Sequence, residues 1–237
     1  MKHRECAEMG IVSRDVRLPA SATQADVAQV VAELNADPSV DAYIQQYPFP
    51  AGLDYEAAVL AMDPDKDADG LHPANLGKLV QGVDAPVACT PAGIVALLAH
   101  YDIPIAGQHV VIVGRGVTIG RPLANLLTLK RPQANAAVTV VHTGVADIGA
   151  YTRTADILVA AAGSPGLITA DMVKPDAVVV AAGVSFEGRK VLSDVADDVA
   201  EVASWLSPRI GGVGPMTRAL LLRNAVDAAE RHAGLPG

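Results

Sequence analysis

An apolar run, Val110-Val111-Ile112-Val113, ends in Gly114, and the residues that follow, Arg115-Gly116-Val117-Thr118-Ile119-Gly120-Arg121-Pro122, carry two more glycines. A strand that turns tightly into a helix start holds phosphate well. Free backbone N–H groups and the positive end of the helix dipole converge there on one point. Gly114 and Gly116 allow the turn and a close backbone approach, and Gly120 lets the helix pack on the strand. The loop, with Thr118 and Ile119 in it, is therefore expected to hold a dinucleotide pyrophosphate. Its spacing, G-x-G-x-x-x-G, is one residue longer than the usual fingerprint, so a ligand-free βα turn stays open on the motif alone.

Charge argues for the kind of dinucleotide. NAD sites end the second strand in an Asp or Glu that takes the ribose hydroxyls. Here Val138-Thr139-Val140-Val141 ends in His142-Thr143 without a carboxylate, and Arg115 and Arg121 add positive charge near the loop. The expected cofactor is NADP. Both arginines can equally be solvated surface charge.

The elements that must position this loop follow from rhythm. Near-continuous apolar runs at His109–Val113, Val138–Val141, Ile157–Ala161 and Ala177–Ala181 are separated by helix or loop lengths, the pattern of βαβ units in a parallel sheet covered on both faces. Upstream, Thr23-x-x-Asp26 predicts a capping box, with Val27, Val30, Val31 and Leu34 on one helix face. A short strand is expected over Val40–Gln45 and a second helix over about Tyr55–Met62. Cys89-Thr90-Pro91 reads as a helix start with Thr90 as N-cap and Pro91 at the first helical position, running to about His100. A last helix covers about Thr217–Arg231.

Composition bounds the function. Net charge is −8 and aromatics are 3% of 237 residues, which argues against nucleic acid as a partner. No run of 18 apolar residues and no signal-like start occurs, so no membrane partner and a cytoplasmic location are expected. Cys6 and Cys89 read as thiols in a reducing compartment, and no Cys/His cluster has metal-ligand spacing.

Several further motifs stand in a fixed order: Lys2-x-x-x-Cys6-x-x-x-Gly10-Ile11, Gln46-Tyr47-Pro48-Phe49-Pro50, and Pro64-Asp65-Lys66-Asp67-Ala68-Asp69-Gly70-Leu71-His72-Pro73. Asn75-Leu76-Gly77, Cys89-Thr90-Pro91-x-Gly93, the Gly114–Pro122 loop and Gly211-Gly212-Val213-Gly214-Pro215-Met216-Thr217 continue it. Together they resemble the bifunctional methylenetetrahydrofolate dehydrogenase/methenyltetrahydrofolate cyclohydrolase family over essentially the whole chain.

The resemblance implies a two-domain α/β fold: an α/β catalytic domain and a Rossmann-type NAD(P)-binding domain with a parallel sheet. Residues 1–89 would form the folate-binding catalytic domain, N-terminally incomplete and completed by a C-terminal helix over 218–237, and residues 90–217 the NADP-binding domain. It implies that Lys2 is the catalytic lysine, Gln46 the glutamine that hydrogen-bonds it, and Asp69 the anchor of the pterin ring. Tyr47, Pro48, Gly211, Gly212 and Pro215 would border the substrate. Gly114, Arg115, Gly116, Thr118, Ile119, Gly120, His142, Thr143 and Gly163 would line the cofactor. Tetrahydrofolate derivatives as substrates and a homodimer through the cofactor domain are implied as well. Read alone, Lys2 is a solvated terminus, Gln46 a strand-end cap, Asp69 a turn residue, and Lys66 and Asp67 loop architecture.

Three departures qualify the resemblance. The family's tyrosine four residues before the lysine has no counterpart here, nor do its opening strand and helix, so a native product with an N-terminal extension is expected. Ala181 stands where the family has an aspartate, and Ile210 where it has a proline. A degenerate paralogue that binds NADP or folate without turnover, and another two-domain NADP-dependent dehydrogenase such as a shikimate-type enzyme, remain alternative readings.

Overall fold

A computed structural model describes residues 2–188 and 190–235. Helix α1 covers Lys2–Glu8 and buries no residue. Helix α2, Gln24–Ala36, begins at the expected capping box: Thr23 accepts from Asp26 N, and the Asp26 side chain accepts from Thr23 N at 2.8 Å. Val27 and Val31 of its apolar face are buried against Ala58 of helix α3, Tyr55–Leu60, with Phe49 and Leu53 packed alongside. The Asp54 side chain caps α3 by accepting from Ala57 N at 2.9 Å.

The strand expected over Val40–Gln45 does not form. A strand needs a neighbour alongside for several residues, and only Tyr43 finds one, in a single parallel bridge to Asp67. The facing chain leaves at once through a 3-10 turn, Pro64–Lys66, and helix α4, Pro73–Gln81. Helix α4 was not expected, although Pro73 at its start and Gly82 in the left-handed C-cap (φ 69°) mark both ends.

Helix α5 spans Cys89–His100, and its cap is Ala88, not Thr90 as expected. Tertiary contact overrides the local cap signal: Cys89 N donates to Asp69 O at 3.1 Å, which fixes where the helix begins. Thr90 lies inside the first turn and accepts from Thr217 Oγ1 at 3.1 Å.

The second half contains β1 (His109–Val113), α6 (Gly120–Thr128), β2 (Ala137–Val141), α7 (Gly149–Thr152), β3 (Ile157–Ala160) and β4 (Val178–Ala181). It continues with β5 (Val184–Glu187), β6 (Lys190–Ser193), β7 (Trp205–Leu206) and α8 (Val213–His232). Five strands form a parallel sheet in the order β2-β1-β3-β4-β7. All four expected strands are present to within a residue or so. The antiparallel hairpin β5–β6 was not expected, since Ser185, Glu187, Lys190 and Ser193 interrupt any apolar run there.

Both sheet faces are covered. Val110, Ile112, Ile157 and Val159 pack with Leu123, Leu127, Ile94 and Leu98 on one side. Val111, Val113, Leu158 and Val179 pack with Ile168 and Val199 on the other. Each fully buried Ile or Leu contributes about 1.5–3 kcal/mol, so this sheet is the rigid frame of the molecule.

Helix α8 starts before the expected Thr217 and the expected domain edge at 218, because Gly211 (φ 85°) and Gly212 turn the chain into it early. A Cβ on Gly212 would lie 2.3 Å from Pro208 O. The helix ends at His232, and residues 236 and 237 of the expected terminal helix lie outside the described residues. It packs along α5 so closely that a Cβ on Gly93 would stand 3.1 Å from Met216 C and Thr217 N. Among the described residues no helix is long and apolar enough to cross a membrane.

Candidate active site

Lys2 lies in the first turn of α1, and its Nζ donates to Gln46 Oε1 at 3.0 Å. The other end of that amide, Gln46 Nε2, donates to Tyr47 O at 2.8 Å, which turns Oε1 toward the lysine. The Tyr47–Pro48 peptide is cis. Behind this segment the Tyr55 ring meets Tyr47 and Phe49 edge-on, with centroids 5.2 and 5.1 Å apart.

Two buried charges build the loop that presents Asp69. Lys66 Nζ donates to the carbonyls of Leu34, Asn35 and Asp37 at 2.8–3.0 Å, satisfying groups that α2 leaves free at its C-terminus. The Asp67 carboxylate accepts from Gly70 N, His72 N and Asn75 Nδ2 at 2.8–3.0 Å. Both residues are fully used by architecture. Gly70, at φ 71°, has no room for a side chain, since a Cβ would lie 2.4 Å from Val87 C.

Asp69 has a different environment. Burial pushes its carboxyl up to about 6, with the Lys2 charge pulling the other way and Asp67 adding to the rise. Burial foremost, then the Asp69 and Asp67 charges, raises the Tyr55 phenol to about 12. These influences tie Lys2, Tyr55 and Asp69 into one electrostatic neighbourhood. Cys89 borders it, but burial drives its thiol up to about 12, and its Sγ donates to Ala68 O at 3.2 Å. It is a small packed residue rather than a nucleophile.

The glycine loop has the geometry a phosphate site needs. Gly114 (φ 135°) leaves β1 so close to β3 that a Cβ would lie 2.1 Å from Ala161 O. A Cβ on Gly120 would lie 2.1 Å from Gly114 O, so the start of α6 is pressed onto the strand end. Gly116 faces open space, with Thr118 Oγ1, at 3.9 Å, the only neighbour a Cβ would meet. No side chain caps α6 at Ile119; in its first turn Arg121 N donates to Gly116 O at 3.1 Å and Pro122 has no N–H, which leaves Gly120 N to meet an anion. Arg115, Gly116 and Thr118 are exposed around it. β2 is followed by His142, whose Nδ1 accepts from Gly144 N at 3.0 Å, and by exposed Thr143.

Four participants escaped the sequence reading. Asp194 is fully buried, and its Oδ2 accepts from Ala162 N at 2.7 Å and Gly163 N at 2.9 Å, holding the loop after β3. Gly183 is obligatory beside it, since a Cβ would lie 1.8 Å from Asp194 Oδ2. Tyr55, Asn224 and Arg218 are the others. No local pattern marks any of the four, and the partners of Asp194, Asn224 and Arg218 lie far away in the chain. Ala181 N donates to Ser207 Oγ at 2.8 Å, so the strand end is hydrogen-bonded with alanine at that position. Among the described residues no cluster of three His, Cys, Asp or Glu could hold a metal ion.

Comparison with known proteins adds a second line. Residues 1–69 match the tetrahydrofolate dehydrogenase/cyclohydrolase catalytic domain, and residues 88–233 match the NAD(P)-binding domain of that family. A relative from Syntrophotalea carbinolica, bifunctional protein FolD, is 58% identical over 236 residues, covering 100% of this chain and 81% of that one. The Campylobacter jejuni bifunctional FolD structure superposes with a TM-score of 0.92 at 37% identity, over 97% of this chain and 81% of that one. A Trypanosoma brucei methylenetetrahydrofolate dehydrogenase-cyclohydrolase, solved with NADP cofactor and inhibitor, gives 0.90 at 35% identity, over 98% and 81%.

Proposed function

Because the chain belongs to the tetrahydrofolate dehydrogenase/cyclohydrolase family, we propose that it oxidises 5,10-methylenetetrahydrofolate with NADP and hydrolyses the methenyl product to 10-formyltetrahydrofolate. The observation that carries this reading is the Lys2 Nζ–Gln46 Oε1 contact of 3.0 Å, with half-buried Asp69 in the same electrostatic neighbourhood. A base, a residue that holds it, and an acceptor for the substrate's flat ring meet in one place.

The Asp69 carboxylate accepts two donors from the amino-pyrimidine edge of the pterin. Tyr47 and Pro48 on one side, and Gly211, Gly212 and Pro215 at the start of α8 on the other, border the substrate. Hydride transfer requires placement more than acid–base help. NADP, when bound, supplies the acceptor for the hydride that leaves the methylene carbon.

Hydrolysis needs a proton moved. As water adds to the methenyl carbon it gives one proton to Lys2 Nζ, acting as general base. Lys2 returns that proton to the folate nitrogen as the C–N bond breaks, and the remaining hydroxyl proton leaves to solvent as the formyl C=O forms. Gln46 Oε1 holds the amine in reach. Asp69 stabilises its protonated form between the two transfers.

The glycine loop fits NADP. Gly114, Gly116 and Gly120 bring backbone against the pyrophosphate at the start of α6, with Thr118 and Ile119 in the same turn. Arg115 and the carboxylate-free end His142–Thr143 suit a 2′-phosphate. Gly163, held by Asp194, borders the nicotinamide side. The division into a folate-binding part, residues 1–89 completed by residues 218–237, and a cofactor part, residues 90–217, belongs to this reading. So do a homodimer through the cofactor part, where β2 is a free sheet edge with Val140 exposed, and a location in the reducing cytoplasm.

The test is a coupled assay with methylenetetrahydrofolate and NADP that follows NADPH and methenyl formation separately. Production of both, then decay of the methenyl signal, is expected. A folded, NADP-binding protein that makes no NADPH would overturn the reading in favour of a binding paralogue.

A further inference from the structure

We propose that the Glu5–Arg218 ion pair is a clamp that positions Lys2, binding the short helix α1 to the long helix α8; the inference rests on the role given to Lys2 above. Helix α1 is seven residues long and buries none of them, so apolar packing does not hold it in place. Helices this short are marginal without tertiary support. Lys2, Glu5 and Cys6 share one half-buried face, at the i, i+3, i+4 spacing that puts side chains one above another.

Glu5 is thus one turn from Lys2, on the same side. Arg218 Nε donates to both its carboxylate oxygens, at 2.8 and 3.1 Å. The two side chains are only 31% and 20% exposed, so water screens this pair less than an open surface pair. The other ion pair of α1, Arg4–Glu8 at 3.4 Å, lies within the helix and is exposed, so it ties α1 to nothing else. Among the described residues His3 reaches Ser13 Oγ alone, ten residues away at 2.8 Å.

Arg218 itself is firmly placed. Helix α8 spans twenty residues and is anchored by buried Val213, Leu220, Asn224 and Ala228. A rigid helix therefore grips α1 one turn beyond the lysine, and Gln46 receives the lysine's tip. Arg218 is a positioning residue that acts through Glu5. It sets how often Lys2 Nζ stands where the attacking water must be, while its own guanidinium is committed to the carboxylate.

The test uses the full chain with Arg218→Met, Glu5→Gln and the swapped pair Glu5→Arg/Arg218→Glu. Each single variant is expected to lower kcat for methenyl hydrolysis roughly tenfold, with KM for the folate changing less than twofold, as small misplacements of a catalytic group do. The swapped pair is expected to recover most of the loss. Acetylation of Lys2, read by peptide mass against exposed Lys130, is expected to quicken in both single variants.

Wild-type hydrolysis rates in both single variants, or a loss that the swapped pair fails to recover, would overturn the clamp. If the wild-type protein itself hydrolyses no methenyl compound, the functional reading fails instead. Lys2 labelling then decides the clamp alone: faster labelling in Arg218→Met supports it, and an unchanged rate overturns it.

Discussion

Asn224 and Ala68 are 156 positions apart in the chain, yet Asn224 Nδ2 donates to Ala68 O at 2.9 Å, one residue before Asp69. The same amide group donates to Val87 O at 3.1 Å and stands 3.4 Å from Cys89 Sγ. One buried side chain of α8 therefore joins the loop that presents Asp69 to the segment that starts α5.

Replacing Asn224 by leucine keeps the volume and removes the donor. Val87 O then loses this donor and Ala68 O keeps only the weak Cys89 Sγ donor, at about 1–3 kcal/mol for a group left unsatisfied. The expected outcome is a clear fall in the denaturation midpoint, together with weaker folate binding, because Asp69 loses its support. Urea unfolding and a folate titration on the same preparation check both.

Lys2→Met is expected to slow methenyl hydrolysis by about a hundredfold or more, the usual scale for a lost general base. Hydride transfer is expected to suffer far less, since the nicotinamide carries that step. Parallel loss of both activities would contradict the proton-transfer role.

Asp69 is expected to make both stability and folate binding depend on pH. Burial raises its folded value to about 6 from 3.8, so between those values the folded chain holds a proton that the unfolded chain has lost. Its contribution to stability is therefore full below about pH 4 and is lost as pH rises through 6. Asp69→Asn removes the buried charge and is expected to stabilise the fold at pH 7 by up to about 3 kcal/mol, with the difference vanishing at low pH. The same substitution is expected to abolish folate binding. In the wild type, KM for the folate is expected to rise as pH falls below 6, where the carboxylate becomes protonated and loses an acceptor. Thermal unfolding and initial rates across pH 4–8 read both effects.

Two glycines of one loop are expected to respond differently. Gly114→Ala forces a Cβ to 2.1 Å from Ala161 O at a φ of 135°, and overpacking of that kind costs about 1–3 kcal/mol or more. Gly116→Ala meets open space and is expected to leave the unfolding temperature unchanged while raising the Kd for NADP, because the methyl group stands where the pyrophosphate approaches. Unfolding curves and a cofactor titration separate the cases.

Much was legible in the chain itself because the physics is local. Near-continuous apolar runs announce β1 to β4, although β2 at the sheet edge leaves Val140 exposed, and the Thr23–Asp26 box announces α2. The loop from Gly114 to Gly120 announces a βα turn, because each signal is complete within a dozen residues. The motifs around Lys2, Gln46 and Asp69 could be named from their residue order. Their use could not be argued from spacing, since lysine, glutamine and aspartate occur on any surface. Val40–Gln45 shows the limit: its pattern suits a strand, but pairing depends on what runs beside it, and only Tyr43 found a partner. Thr90 shows it again, since a contact from Cys89 N to Asp69 O moved the helix start.

What tertiary structure alone decided is which polar groups became neighbours. Lys66 closes α2, Asp194 holds the loop at Gly163, Asn224 supports Asp69, and Arg218 grips Glu5 from 213 positions away. Hydrogen bonds and ion pairs act over a few ångströms and carry no periodic trace along the chain. Burial patterns repeat with the helix and strand periods, so a sequence displays its core and its turns, while the partners of its buried charges appear only once the chain has closed on itself.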